Sequence, residues 1–234
     1  MLLPSLLLIS AAITPAHVVC VAEPAGPVAH DERIVAAAEA LVPRDSTLAA
    51  AYASGITWDA FLSSAWSRRA AWMKNWENAR IPADALAQAR ALPPGFRLLV
   101  IAVDSCSDSV NTIPYLAKLV AEVPGLGMRI LSPTAGRNLM AARPTPDGRP
   151  ATPTVIVLDA QGEEVGCWIE RPMALQAMAI EARAGGGTAA FAATKQGWYD
   201  ADAGASTIRE VLALLTDAAS GVRGCDALAS SRSR

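Results

Sequence analysis

Residues 96–115 read FRLLVIAVDSCSDSVNTIPY, and this stretch decides the fold. The unbroken apolar run over 98–103 is typical of a strand buried on both faces. A short polar cluster follows, and then apolar residues recur at helical spacing: Ile113, Leu116, Ala117 and Val120. The pattern therefore places Cys106 where a strand gives way to a helix. Unsatisfied backbone N–H groups and the positive end of the helix dipole favour a thiolate there.

Three further features accompany that stretch: the tetrapeptide Cys106-Ser107-Asp108-Ser109, Pro114 within the helix, and Thr152-Pro153-Thr154 before a later strand. In this combination the chain resembles bacterial thioredoxin-like proteins over residues 96–172, with a last helix from Ser206. The resemblance implies an α/β fold, in which a thioredoxin-like mixed sheet is flanked by helices. The residues before it then form a helical N-terminal extension.

The same resemblance assigns roles at the site. It implies that Cys106 attacks a disulfide and that Pro153 is a cis-proline facing it across the substrate groove, beside Ser107 and Thr152. Ser109 stands where thioredoxins carry the second cysteine of C-x-x-C. This C-x-x-S site implies monothiol-type thiol–disulfide exchange with a protein or low-molecular-weight thiol or disulfide, and it implies no cofactor.

Two neighbours of Cys106 act on its thiol in opposite directions. A hydrogen bond from Ser109 lowers the pKa of the thiol and a nearby Asp108 carboxylate raises it, so the sequence leaves the balance open. In a second reading, Asp108 favours the positive helix terminus and Ser107 or Ser109 caps it, in a redox-inactive binding module. A thiol peroxidase is a further alternative, because it also needs one attacking cysteine.

The first residues predict export. Residues 2–13 are apolar and Cys20-Val21-Ala22 offers a small-residue cleavage site, so 1–22 is interpreted as a secretory signal peptide. A signal anchor is one alternative, although prolines interrupt a segment barely as long as the ~20 apolar residues that span a bilayer. A lipid-modified Cys20 is another. All three imply export, and cleavage implies a periplasmic or secreted protein without a stable membrane span.

The mature chain divides into a helical N-terminal extension over 23–92, a thioredoxin-like domain over 93–218 and a flexible tail over 219–234. In the extension, aromatic and apolar residues between 57 and 76 lie at helical spacing and predict one long amphipathic helix. Its aromatic stripe is interpreted as packing against the sheet or against its own neighbours, with a ligand groove as the alternative. A shorter helix is predicted over 82–92, with proline at its first position.

A hairpin is predicted from strands over 154–158 and 163–168 with a turn at 159–162. Counting outward from the turn pairs Leu158 with Glu163 and Thr154 with Cys167. This register places Cys167 at the same end of the sheet as Pro153.

Three cysteines remain after signal cleavage, namely Cys106, Cys167 and Cys225. An odd number leaves at least one as a thiol or in a mixed disulfide. Cys167 is either a resolving thiol for Cys106 or a structural cysteine, buried or bridged to Cys225. The sequence leaves these pairings open.

The C-terminal part of the chain predicts two helices, over 172–183 and 206–218. The glycines at 185–187 lack the G-x-x-x-x-G-K-[ST] pattern of a phosphate loop and are interpreted as a linker. Residues 198–200 are interpreted as a surface segment. A helix is also predicted over 134–142, after a short strand at 128–131.

Composition excludes several other functions. The apolar fraction of 52% supplies a globular core, and a net charge of −2 without a basic block argues against nucleic-acid binding. His30 is the one histidine after residue 22, so catalysis by a Cys-His pair or a Ser-His-Asp triad lacks an evident base. Spaced pairs of cysteine and histidine are missing too, and no metal site is predicted.

Overall fold

The computed structural model of the protein describes residues 47–225. The predicted signal peptide over 1–22, the beginning of the N-terminal extension with His30, and the tail beyond 225 lie outside the described residues. Within residues 47–225, no helix combines the length and the apolar character needed to cross a bilayer.

The described part of the chain alternates helices and strands. The helices are α1 (Leu48–Ser54), α2 (Trp58–Ser64), α3 (Arg69–Asn78), α4 (Ala83–Arg90), α5 (Ser107–Glu122), α6 (Arg137–Ala141), α7 (Met173–Ala184), α8 (Thr188–Asp202) and α9 (Ala205–Ala219). The strands are β1 (Arg97–Ile101), β2 (Gly127–Leu131), β3 (Thr154–Leu158) and β4 (Glu164–Ile169).

The strands form one mixed sheet in the order β2-β1-β3-β4. β1 is parallel to β2 and antiparallel to β3, and β3 is antiparallel to β4. On the outer side of β2, Ile56 exchanges two main-chain hydrogen bonds of 2.9 Å with Ile130. The predicted α/β fold, with a mixed sheet flanked by helices, is confirmed.

The central strand β1 is buried on both faces, as its apolar run predicts. Leu98 and Val100 pack with α2, α3, α5 and α9 on one side, whereas Leu99 and Ile101 pack with α1 and α6 on the other. All four side chains are 0% exposed. Burial of each stabilises the fold by on the order of 2 kcal/mol. The chain that leads to Cys106 therefore starts from a strand that is packed on both faces.

The prediction of one long helix between 57 and 76 is wrong, because the structure contains two helices there, α2 and α3. The N–H groups of Trp66 and Ser67 donate to the carboxylate of Asp104 at 2.8 and 2.7 Å. Arg68 then adopts a left-handed conformation with φ of 53°. The carboxylate thus competes successfully with the helical hydrogen bonds. The packing interpretation of the aromatic stripe is confirmed, since Trp58, Phe61 and Trp72 are buried in the core.

The predicted register of the β3–β4 hairpin is also wrong. Leu158 pairs with Glu164, Thr154 pairs with Ile169, and Cys167 lies opposite Ile156 in the middle of the strand. The difference has two sources: Asp159 and Glu163 extend the pairing into the predicted turn, and a bulge lies at Val157/Leu158. Cys167 therefore does not lie at the Pro153 end of the sheet.

The C-terminal helices are α7, α8 and α9, and the glycines at 185–187 link α7 to α8. Residues 198–200 belong to α8, and Tyr199 is only 3% exposed, so the interpretation of this segment as surface is wrong for Tyr199. Beyond α9, Gly224 donates its N–H to the carbonyl oxygen of Val165 at 3.1 Å. The end of the described chain thus lies along the outer edge of β4.

Candidate active site around Cys106

Cys106 is the N-cap residue of α5, at the strand-to-helix junction that the sequence predicts. Its Sγ accepts the N–H of Ser109 at 3.5 Å and donates to the carbonyl oxygen of Thr152 at 3.2 Å. The side chain is 0% exposed. The first contact stabilises a thiolate, because a backbone N–H donor favours the charged form. The second holds the thiol against the loop that contains Pro153.

The loop opposite Cys106 is held by hydrogen bonds to its main-chain carbonyl groups. The peptide bond between Thr152 and Pro153 is cis. Pro153 accepts the N–H of Glu170 at 2.7 Å, and the Thr154 hydroxyl donates to the Ala151 carbonyl at 2.8 Å. Thr152 and Pro153 thus lie beside Cys106, where the resemblance places them.

Ser107 and Ser109 differ in their surroundings. The Ser107 hydroxyl oxygen accepts from Lys195 Nζ at 2.6 Å and belongs to a polar cluster. Ser109 is 0% exposed, and its hydroxyl has no hydrogen-bond partner among the described residues. Such a hydroxyl is able to donate to a charge that develops nearby.

Asp108 is enclosed by three donors. Its carboxylate accepts from Tyr199 Oη at 2.7 Å, from Arg171 Nη2 at 3.1 Å and from Lys195 Nζ at 3.1 Å. The side chain of Asp108 is 2% exposed and that of Arg171 is 6% exposed. The carboxylate charge next to Cys106 is thus compensated by two cations. In the alternative interpretation of the sequence, Asp108 interacts only with the helix terminus, and these three partners are not part of it.

Tyr199 reflects the electrostatics of this cluster. Burial raises the pKa of Tyr199 well above its usual value, and the negative charge of Asp108 and the hydrogen bond to it raise this pKa further. Tyr199 is therefore a neutral donor at physiological pH. Tyr199 keeps its hydroxyl proton and donates it in a hydrogen bond to the Asp108 carboxylate.

The charge cluster continues behind the Pro153 loop. Arg171 also pairs with Glu170, and Glu170 accepts from Arg149 Nη2 at 3.1 Å. Arg149 in turn pairs with Asp147 at 3.0 Å, and Asp147 pairs with Arg183. Because Glu170 also donates its N–H to Pro153, the cluster connects the residues after Cys106 with the loop facing them.

A protein-family model described as thioredoxin matches residues 55–183, which is more than half of the chain. The chain belongs to this thioredoxin family. The match begins within the predicted N-terminal extension, so α2, α3 and α4 fall inside the region covered by the family model.

Two solved structures share the fold of this thioredoxin-family protein. A protein of unknown function from Pseudomonas aeruginosa is 21% identical with a TM-score of 0.61, over 74% of this chain and 99% of that one. An HIV epitope scaffold is 21% identical with a TM-score of 0.56, over 73% and 98%. At such identities the likeness concerns the fold alone. No curated protein matches the chain.

Besides Cys106, residues 47–225 of this thioredoxin-family protein contain two cysteines, and these pair with each other. Cys167 of β4 and Cys225 of the C-terminal segment form a disulfide with a Cα–Cα distance of 4.6 Å. Of the alternatives left open by the sequence, the structure contains the structural bridge. An open cavity of about 330 Å³ lies beside it, lined in part by Arg143, Glu164 and Arg223.

Glu164 approaches the same disulfide, and its carboxylate lies within 4.8 Å of both sulfur atoms. Glu164, Cys167 and Cys225 are residue types that bind metal ions, but all three already have other partners. The two sulfur atoms are bonded to each other, and Arg143 Nε and Nη2 donate to both carboxylate oxygens at 2.8 and 2.5 Å. A cation at Glu164 would have to displace that guanidinium.

The segment before Cys106 is bound by the N-terminal helices. Asp104 accepts from Trp66 and Ser67, as described above, and its carbonyl oxygen accepts from Trp72 Nε1 at 3.0 Å. The Ser105 carbonyl accepts from Arg68 Nε at 2.8 Å. The α2–α3 connection thus holds the residues that lead into Cys106.

Sequence reasoning missed the partners of Asp108, namely Arg171, Lys195 and Tyr199. One signal was present, since Lys195 and Tyr199 are four residues apart and lie on one face of a helix. That spacing indicates a shared partner only when the segment is recognised as helical. The interpretation of 198–200 as a surface segment concealed it.

Proposed function

We propose that this protein is an exported, monothiol-type thiol–disulfide exchange protein in which Cys106 is the nucleophile. One observation carries the proposal: Cys106 Sγ lies at the N-terminus of α5, 3.5 Å from the Ser109 N–H and 3.2 Å from the carbonyl of Thr152, beside the cis Pro153. A single nucleophilic cysteine is sufficient for the first step of disulfide exchange.

The reaction proceeds in two displacements. The Cys106 thiolate attacks one sulfur of a disulfide; a bond forms between them, and the other sulfur leaves as a thiolate that takes up a proton from solvent. A second, external thiolate then attacks the mixed disulfide on the substrate sulfur. Cys106 leaves as a thiolate, and the external thiol is oxidised into a new disulfide.

An external thiol is needed because no second cysteine of the described chain is available. Ser109 occupies the position of the second cysteine, and Cys167 is bonded to Cys225. Ser109 instead supplies its N–H and an uncommitted hydroxyl for the negative sulfur. The substrate is therefore a protein or low-molecular-weight disulfide, and the second reactant is a thiol.

The charges around Asp108 support this chemistry. An isolated carboxylate beside Cys106 would oppose formation of the thiolate. Arg171 and Lys195 compensate that carboxylate, so the positive end of α5 acts on the sulfur with less opposition. Asp108 is thus a positioning residue for the start of the helix.

Export is the second part of the proposal. The apolar segment over 2–13 followed by Cys20-Val21-Ala22 supports a signal peptide, and the Cys167–Cys225 disulfide suits an oxidising compartment such as the periplasm. The N-terminal sequence of protein recovered from the expressing cell tests this part. A mature chain beginning at Glu23 in an extracytoplasmic fraction is expected, and a cytoplasmic chain retaining residues 1–22 would contradict it.

The exchange reaction is tested by trapping the mixed disulfide. The wild type is incubated with hydroxyethyl disulfide, quenched with acid and analysed by intact and peptide mass spectrometry. The expected result is a mercaptoethanol adduct on Cys106 that persists until an external thiol is added. Ser109→Cys is expected to lose the adduct by internal resolution, and Cys106→Ser is the control that forms none at this site.

The alternative function is a redox-inactive binding module, and one observation favours it: Cys106 and Ser109 are both 0% exposed. A disulfide reaches Cys106 Sγ only when the surrounding loops open. If native wild type forms no adduct over hours at pH ~8.5, where an ordinary thiol is half ionised, while unfolded protein does, then the binding module is the better description.

A further inference from the structure

The most exposed large apolar side chain among residues 47–225 is Trp66. Its side chain is 93% exposed, whereas Trp58, Trp72 and Trp168 are at most 8% exposed. An indole in water exposes a large apolar area, and tryptophan is enriched among the residues that dominate binding energy at protein interfaces. The exposure of Trp66 therefore calls for a physical reason.

The main chain around Trp66 is held in place by several hydrogen bonds. Asp104 accepts the N–H groups of Trp66 and Ser67 at 2.8 and 2.7 Å. Arg69 Nη1 donates to the carbonyl oxygens of the α2 end, the shortest contact being 2.7 Å to Leu62. Arg68 is left-handed and bound to Ser105. A main chain that is already fixed loses little further conformational entropy when its side chain binds a partner.

The same contacts place the main chain of Trp66 close to the segment that leads into Cys106. Asp104, the acceptor for the Trp66 N–H, is separated from Cys106 by one residue, so their Cα atoms are at most ~7 Å apart. Trp66 therefore lies at the rim of the Cys106 site, on the side formed by the α2–α3 connection. The loop of Thr152 and Pro153 contacts Cys106 through the Thr152 carbonyl.

We propose that Trp66 is a docking contact for an oxidised polypeptide whose disulfide is attacked by Cys106. This inference rests on the proposed exchange function and specifies its substrate class. A small disulfide that reaches Cys106 occupies only the surroundings of the sulfur. A polypeptide that delivers a cystine to Cys106 extends beyond the rim, and an apolar side chain near that cystine covers the indole. Arg68 and Arg69 are exposed, two and three residues after Trp66, and their charges favour acidic residues in the same segment.

The experiment compares two disulfide substrates. The second-order rate constant for adduct formation at Cys106 is measured by acid quench and mass spectrometry, with insulin as the polypeptide and hydroxyethyl disulfide as the small molecule. The variants are Trp66→Ala, Trp66→Phe and the control Met178→Ala, which removes a side chain that is 40% exposed on α7. Trp66→Ala is expected to lower the insulin rate about tenfold, corresponding to ~1.4 kcal/mol. The hydroxyethyl disulfide rate should stay within about twofold of the wild-type rate, because an ordinary surface substitution has only a small energetic effect.

The other outcomes discriminate clearly. Trp66→Phe is expected to retain most of the insulin rate, and Met178→Ala is expected to retain all of it. Equal insulin rates for wild type and Trp66→Ala would overturn the docking role while leaving exchange intact. An equal fall with both substrates would show that Trp66 only supports the Cys106 loop, which also overturns docking. A wild type that reacts with neither disulfide would contradict the exchange function itself, and the docking role with it.

Discussion

The chain segments on the two sides of Cys106 are held by different means. Asp104 and Ser105, which precede it, are bound by main-chain N–H groups and side chains of the α2–α3 connection. Ser107 and Asp108, which follow it, are bound by Lys195, Tyr199 and Arg171. Asp104 and Ser105 are partly exposed, whereas Asp108 is buried among charged side chains.

This difference predicts different sensitivities to substitution. A hydrogen bond near the surface contributes about 1 kcal/mol, because water replaces the lost partner. A charge left unpaired in the interior costs several times more, because water does not reach it. Substitutions after Cys106 should therefore lower the free energy of unfolding more than substitutions before it.

The largest effect is expected for Asp108→Asn. The amide removes one of the two carboxylates that compensate Arg171, because Glu170 remains, and it removes the carboxylate that pairs with Lys195. Its NH₂ group also faces the donors of both side chains. We expect a loss of about 3 kcal/mol in the free energy of unfolding, measured by urea denaturation. Glu181→Gln, at an exposed position of α7, is the matched control and should change little. A loss below about 1 kcal/mol for Asp108→Asn, on the scale of an exposed ion pair, would remove the proposed contrast.

Tyr199→Phe tests the buried side through pH. The variant loses the hydroxyl donor to Asp108, which is expected to cost about 1.5 kcal/mol at neutral pH. Burial and Asp108 raise the pKa of Tyr199 in the folded state above its unfolded value near 10. The folded protein therefore holds a proton that the unfolded chain releases, and this contribution to stability is lost as pH rises from about 10.

Urea denaturation between pH 8 and 11 measures that contribution. The wild type is expected to lose stability above pH ~10 more steeply than Tyr199→Phe, so that the two curves converge. Curves that stay parallel through this range would show that Tyr199 does not ionise differently in the two states.

A smaller effect is expected for Asp104→Ala on the exposed side. The N–H groups of Trp66 and Ser67 lose their acceptor and turn to water, at a cost of about 1 kcal/mol in the free energy of unfolding. Glu77→Ala in α3 controls for the removal of a negative charge. A loss as large as that of Asp108→Asn would make the two sides equivalent, contrary to expectation.

The smallest effect on stability is expected for Ser109→Ala. The hydroxyl of Ser109 is buried without a hydrogen-bond partner among the described residues, so its removal should change the free energy of unfolding by less than about 1 kcal/mol. Adduct formation at Cys106 should nevertheless slow, because the thiolate loses a potential donor. Ser63→Ala, on the exposed surface of α2, is the control. An unchanged adduct rate would assign Ser109 a packing role only.

Local patterns predicted the centre of the molecule. The apolar run of β1, the helical spacing after Cys106 and the strand–turn–strand pattern of β3 and β4 are set by neighbouring residues, and those elements form as expected. The same holds for Cys106 at the start of α5. In these places local preference and tertiary packing favour the same conformation.

Contacts between distant residues account for the differences. Asp104 ends the helix predicted through Trp66, and the bulge in the hairpin moves Cys167 away from Pro153. Arg171 and Tyr199 reach Asp108 across sequence separations of 63 and 91 residues. A single sequence carries no local pattern that predicts such pairs, because a charged residue such as Asp108 or Arg171, taken alone, is typical of a solvated surface.

The two outer strands of the sheet share one further property. Ile56 hydrogen-bonds to β2 at Ile130, while Gly224 hydrogen-bonds to β4 at Val165, close to the covalent link of Cys225 to Cys167. Exposed strand edges are the sites at which protein molecules add to one another in aggregates. Short segments from the two ends of the described chain thus bond to part of each edge, and at those points they hinder the growth of the sheet from molecule to molecule.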